Sequence, residues 1–153
     1  MSGERFRLDT DILVYSVAAD AGDKHRLAAE IVERAIASDC WLTLQAVSAF
    51  YVVTTRKRMA TREQAAKLAE ACLTVFPIAA ASPQAARAAM ADVVASRASY
   101  WDALLVRAAA KAGCTVILSE GMIDGAILGG GRIVNPFWVG GLSPATAALL
   151  PGT

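Results

Sequence analysis

Carboxylates occur at three places where a chain can use them for chemistry. Asp9-Thr10-Asp11 follows the short run Arg5–Leu8. Asp102 follows Tyr100-Trp101 at the head of the apolar segment Ala103-Leu-Leu-Val106. Ser119-Glu120-Gly121-Met122-Ile123-Asp124 follows Thr115-Val-Ile-Leu118. Two acids one residue apart repel unless something positive binds between them. Mg²⁺ or Mn²⁺ suits such a place, because hard divalent cations take oxygen ligands. Each stretch also has a plainer reading. Asp11 caps a helix starting at Ile12, Asp9 is a turn residue, Asp102 is favourable charge in a first helical turn, and Glu120 and Asp124 belong to a solvated loop. Asp102 stands out: Ser99 is the better N-cap, and the neighbours Trp101, Leu104 and Leu105 predict an acid that is partly buried and partnered.

Other chemistries find less support. His25 is the only histidine and lies in a charged helix start, Asp23-Lys24-His25, so it is expected to be exposed and a Ser-His-Asp or Cys-His hydrolase is improbable. Gly129-Gly-Gly131 precedes no helix with a Lys-Ser/Thr signature and reads as a loop. The glycine fingerprint of a dinucleotide-binding domain is missing as well. Cys40, Cys72 and Cys114 are odd in number and far apart, which suits buried reduced thiols better than a disulfide framework or a zinc site. A net charge of +1 gives no broad basic field, so contact with nucleic acid has to come from a local patch such as Arg56-Lys57-Arg58. That run equally suits a helix C-terminus. Arg97 and Arg107 flank Asp102 and are candidates to pair with it. Of Trp41, Trp101 and Trp138, two sit in core patterns.

The elements that must position these residues alternate. Strands are expected at Arg5–Leu8, Trp41–Leu44, Thr115–Leu118 and Arg132–Val134. Helices are expected at Asp23–Ala37 and across the helically spaced Val47, Phe50, Tyr51 and Thr54. Thr61-Arg-Glu-Gln64 is a capping box for a helix to Phe76, and Ser82-Pro83 opens another to Ala95. A further helix, Ser99–Ala112, ends at Gly113. Short apolar strands between helices mean α/β with a mainly parallel sheet, in a single domain spanning 1–153. Hydrophobic residues make up 56% and charged residues 19%, which excludes a disordered chain. No membrane span or signal peptide is expected, since prolines and glycines interrupt the charge-free stretch 133–153 and charges crowd the N-terminus. Ligands gather at the carboxyl ends of strands in such sheets, where the acids lie.

Together and in this order, the pieces resemble the PIN-domain family, and within it the VapC-type ribonuclease toxins of bacterial toxin–antitoxin pairs. The matching stretches are Arg7-Leu-Asp-Thr-Asp-Ile-Leu-Val-Tyr15, Leu44–Lys57, Ser99-Tyr-Trp-Asp-Ala-Leu-Leu-Val106 and Ala112–Glu120, followed by Gly125 and Val134-Asn-Pro-Phe137. The resemblance implies a three-layer PIN-like α/β fold, a central sheet flanked by helices, and an Mg²⁺- or Mn²⁺-dependent endoribonuclease. It implies an RNA substrate, a cognate antitoxin, a homodimer and a cytoplasmic location. Carried over by position, Asp9 and Asp102 are the metal ligands; Asp11 falls where the family often has Asn and adds a carboxylate that assists, and Glu120 or Asp124, which match no family position, are candidates to supplement them. The family's other two acids fall on Ala49 and Gly121 here. Their loss opens an alternative: a catalytically degenerate domain that binds RNA or antitoxin. A Glu120 or Asp124 carboxylate turned into the cleft between Asp9 and Asp102 favours the enzyme.

Overall fold

The computed structural model describes residues 3–96 and 99–151. Its centre is a sheet in the order β3-β2-β1-β4-β6-β5, formed by β1 (Phe6–Leu8), β2 (Cys40–Thr43), β3 (Ile78–Ala79), β4 (Val116–Leu118), β5 (Ile127–Leu128) and β6 (Gly131–Val134). Every pairing is parallel except the β5–β6 hairpin. Helices flank the sheet, as expected: α1 (Thr10–Tyr15), α2 (Asp23–Ala35), α3 (Leu44–Arg56), α4 (Arg62–Val75), α5 (Pro83–Ala95) and α6 (Tyr100–Lys111). A small hairpin of β7 (Phe137–Trp138) and β8 (Gly141–Leu142) leads to a last short helix, α7 (Pro144–Leu149).

Residues paired across a parallel ladder share a face, and neighbours along a strand alternate. Phe6 pairs with Cys40 and Val116, so these point one way, into a core completed by Ile12, Leu13, Ile31, Leu42, Val47, Phe50 and Leu118. Arg7 pairs with Trp41 and Ile117, and Ile117 with Ile133, so these point the other way. On that side α5 and α6 pack together through Ala85, Ala89, Ala103 and Leu104, small residues that allow close approach. β1 is thus the middle of the sheet, covered on both faces, and it carries an arginine in its centre.

Local signals placed most helix ends. Thr61 accepts from the Gln64 amide while the Gln64 side chain accepts from the Thr61 amide, so the capping box is complete. Ser82 Oγ accepts from Ala85 N at 3.1 Å with Pro83 at the first helical position. Gly113, at φ 89°, follows α6 in the left-handed conformation that glycine tolerates. Three expectations shift. α1 starts at Thr10 rather than Ile12, with Asp9 as its cap. Leu44 opens α3 rather than ending β2, with Thr43 as the cap. The glycine run is the turn of a hairpin rather than a plain loop: Gly129 and Gly130 join β5 to β6, and Gly131 opens β6. Neither β3 nor the β7–β8 hairpin was foreseen, because two-residue strands carry no period. α7 went unread although Ser143-Pro144 repeats the Ser82-Pro83 signal.

Candidate active site

β1 ends at Leu8 and the chain turns directly into α1, which puts Asp9 and Asp11 beside the loop that leaves β4. Asp9 Oδ1 accepts from Thr10 N at 2.9 Å, the helix-capping bond. Its Oδ2 accepts from the hydroxyl of fully buried Ser119 at 2.8 Å. Asp11 is not the cap but lies within the first turn. Its Oδ2 accepts from the backbone amides of Glu120 and Gly121, both at 2.9 Å. The two acids therefore stitch α1 to the β4 loop. Asp11 Oδ1 is buried with no hydrogen-bond partner. Burial pushes the Asp11 carboxyl above its ordinary range, the neighbouring charge of Asp9 adds to this, and the two amides work against it.

Beneath these acids lies Arg7, fully buried on β1. Its Nη1 is 3.8 Å from Asp9 Oδ1, and none of its three guanidinium nitrogens has a hydrogen-bond partner among the described residues. Burial lowers the Arg7 pKa, opposed first by Asp9 and then by Cys114, Asp102 and Asp11. Arginine does not lose its proton in proteins, so a fixed positive charge sits under the acidic cluster.

The remaining expected site residues are used elsewhere. Glu120 turns away: its Oε1 accepts from the Tyr15 hydroxyl at 2.7 Å and its Oε2 meets Lys24 Nζ at 2.6 Å. Burial alone would raise the Glu120 pKa, but the bonds from Lys24 and Tyr15 outweigh it and hold the carboxyl below its usual range. Asp124 is exposed and accepts from Asn135 N at 2.8 Å, which ties the loop to the end of β6. Neither carboxylate supplements Asp9.

Asp102 is exposed rather than partly buried. The buried stripe of α6 runs through Ala103, Leu104 and Val106, which leaves Trp101 and Asp102 facing outward. Ser99 stands at the N-cap but makes no side-chain capping bond. Asp102 lines a cleft of about 200 Å³ with Asp92, Ser96, Val106 and Ile127. Arg107 does not pair with it, because both arms of that guanidinium hold Asp92, at 2.7 and 2.6 Å. Arg97 lies outside the described residues. His25 is half-buried and its Nδ1 contacts the Tyr15 carbonyl at 2.9 Å. Trp101 and Trp138 are exposed and Trp41 is half-buried, so at most Trp41 serves the core.

These residues do not fit a resident divalent ion. Among the described residues no three or more His, Cys, Asp or Glu side chains come together as a metal site. Asp9 has donors on both oxygens, Asp11 offers one free oxygen, and Arg7 already supplies positive charge from below. The vacancies at Ala49 and Gly121 matter for this reason. Ala49 is half-buried on α3, whose Ala46 carbonyl accepts from Thr10 Oγ1 at 3.2 Å. A Cβ placed at Gly121 would meet Asp11 Oδ2 at 3.6 Å, an ordinary contact, so a side chain can start there without a clash at its Cβ. Arg7 is the site residue that reading the sequence missed. The signal was present: a charge inside Phe6-Arg7-Leu8, on a strand whose place in a helix-flanked sheet leaves it no exposed face.

No family model matches the chain, and no curated protein matches it in sequence. Solved structures do match it. VapC20 of Mycobacterium tuberculosis, a Sarcin-Ricin loop cleaving toxin, is 14% identical with a TM-score of 0.58, over 73% of this chain and 86% of that one. A toxin-antitoxin complex from Klebsiella pneumoniae is 21% identical with a TM-score of 0.60, over 86% and 97%. VapBC2 from Rickettsia felis, bound to a DNA fragment from its promoter, is 10% identical with a TM-score of 0.61, over 84% and 96%. The class is thus defined by architecture: the chain has the PIN-like fold of VapC toxins.

Proposed function

We propose that this chain is the toxin-side member of a toxin–antitoxin pair, a VapC-type ribonuclease whose catalytic centre is reduced to Asp9, Asp11 and Asp102. RNA and a cognate antitoxin are its partners, and cleavage is strongly attenuated. The observation that carries the reading is the Asp9–Asp11 pair at the carboxyl end of β1, on a fold shared with VapC toxins, where no three carboxylates gather into a metal site among the described residues. Glu120 and Asp124, the two acids able to compensate for Ala49 and Gly121, are held by Lys24, Tyr15 and Asn135. With only Asp9 and the unclaimed Asp11 Oδ1 to hold it, the Mg²⁺ or Mn²⁺ ion that would activate the attacking water would be weakly retained by the chain as it stands.

What these residues can still do is position RNA. Exposed Arg56, Lys57 and Arg58 at the end of α3 offer phosphate contacts, and Trp101 beside Asp102 offers a stacking surface. An apolar groove of about 330 Å³, lined by Leu13, Val32, Ile36, Phe50, Leu68 and Val75, suits a helix of an antitoxin. Among the described residues no helix is long and apolar enough to cross a membrane. The reading places the protein in the cytoplasm, as a homodimer.

The deciding experiment puts the missing acids back. The wild-type chain and Ala49→Glu/Gly121→Asp are incubated with a mixed RNA pool and Mn²⁺. The double variant should cleave at least ~100-fold faster, in line with what a positioned carboxylate contributes to catalysis. Adding Asp9→Asn should abolish the gain. A wild-type chain that cleaves as fast as the double variant overturns the attenuated reading. A folded double variant that stays inactive favours the degenerate binding protein instead.

A further inference from the structure

The acids and Arg7 form one electrostatic unit. The Asp9 carboxylate lies beside a fully buried guanidinium whose three nitrogens have no hydrogen bond among the described residues. Unpaired charge in an apolar interior is very unfavourable, so each side requires the other. The contact between them is ionic rather than a short fork: the nearest approach is 3.8 Å, from Nη1 to Asp9 Oδ1. Arg7 is held in place by packing, between Trp41 on β2 and Ile117 on β4, and cannot swing out to solvent as a surface arginine does. Its charge is also permanent, whereas a bound ion comes and goes with concentration.

We infer that Arg7 is a built-in counter-cation: its buried guanidinium balances the Asp9 carboxylate in the place where a divalent ion would otherwise be required. The site then folds and persists without metal, and its affinity for Mn²⁺ is suppressed. This explains how the acids have been kept in an arrangement that offers a metal so few ligands. It concerns charge balance and does not depend on the proposed ribonuclease reading. Both of its tests are read without RNA, so a failed cleavage assay and a failed charge-balance test remain distinguishable.

Mn²⁺ titration calorimetry on the full chain, wild type against Arg7→Met and Arg7→Lys, is the first test. Wild type and Arg7→Lys should show no saturable binding up to about 1 mM, while Arg7→Met should bind at least roughly tenfold more tightly once the repelling charge is gone. Tight binding by the wild-type chain overturns the inference, and so does a folded Arg7→Met with unchanged affinity. If Arg7→Met does not fold, thermal melting of Asp9→Asn in EDTA decides. Asparagine keeps the cap through Oδ1 and donates its Nδ2 to the Ser119 hydroxyl oxygen, but removes the charge opposite Arg7, so Tm should fall by about 5 °C. A rise in Tm would mean two unneutralised carboxylates had been relieved, and the counter-cation role would be lost.

Discussion

Two pairs of acids lie beyond the carboxyl ends of β1 and β4, and the molecule uses them in opposite ways. Asp9 and Asp11 face inward, take donors from Ser119 and from the backbone of residues 120 and 121, and lie over the charge of Arg7. Glu120 and Asp124 face outward and act as struts, one to Tyr15 and Lys24 on the α1–α2 side, the other to Asn135 after β6. All four satisfy the same sequence criterion, an acid just past a strand in a parallel sheet. What separates them is which donors claim their oxygens. An acid tied outward to a partner on another element is architecture, and an acid held beside a buried charge or with an unclaimed buried oxygen is available for chemistry.

The largest expected effect comes from breaking the inward pair. Asp9→Ala removes the α1 cap, leaves the Ser119 hydroxyl without its acceptor and deprives Arg7 of its nearest opposite charge. Stranding a buried charge and losing a cap together cost about 3–4 kcal/mol, or roughly 10 °C in Tm. Differential scanning calorimetry measures it directly. A loss of only a degree or two would show that Arg7 is stabilised by something other than Asp9.

Asp11→Asn should act in the opposite direction. The folded state holds the Asp11 carboxyl above its ordinary pKa, so folding favours the protonated form. That favourable contribution is complete below pH 3.8, the unperturbed value, and is lost as pH rises through the raised pKa. At neutral pH the ionised group therefore costs stability. Asparagine can still accept from the amides of Glu120 and Gly121 while carrying no charge. The variant should be more stable than wild type at pH 7 and should lose that advantage in acid. Melting curves across pH 3–7 test both halves (roughly the titration range of carboxylates).

The contrast between the acid pairs also marks how far a sequence can be read. The mainly parallel sheet was legible from the alternation of short apolar strands with helices, and the capping box at Thr61 and the Ser82-Pro83 start because each is encoded within a few residues. The placement of Asp9 beside the β4 loop was legible because it is fixed by a strand end. Asp102 was misjudged because apolar sequence neighbours on a helix lie on different faces, and Trp101 shares its outward one. Glu120 and Asp124 were misassigned because their partners, Lys24 and Asn135, lie 96 and 11 residues away and no local pattern announces them. Arg7 was overlooked because its meaning depends on the position of β1 in the sheet, which only the assembled topology supplies.

Glu120→Gln sharpens the comparison at its weakest end. Glutamine still accepts from the Tyr15 hydroxyl, so only the ion pair to Lys24 is lost, and that pair is partly solvated. The drop in Tm at pH 7 should be roughly 1–2 °C at most, and added salt should shrink it, because exposed ion pairs are screened. The pH dependence carries the stronger test. Folding lowers the Glu120 pKa, so its stabilisation is present above 4.5, the unperturbed value, and disappears as pH falls through the lowered one. Wild type and variant should therefore converge in acid, where wild type and Asp11→Asn also converge, but from opposite sides. A Glu120→Gln variant that instead gains stability at pH 7 would mean that Glu120 carries the unrelieved repulsion of a catalytic cluster, and the division between inward and outward acids would fail.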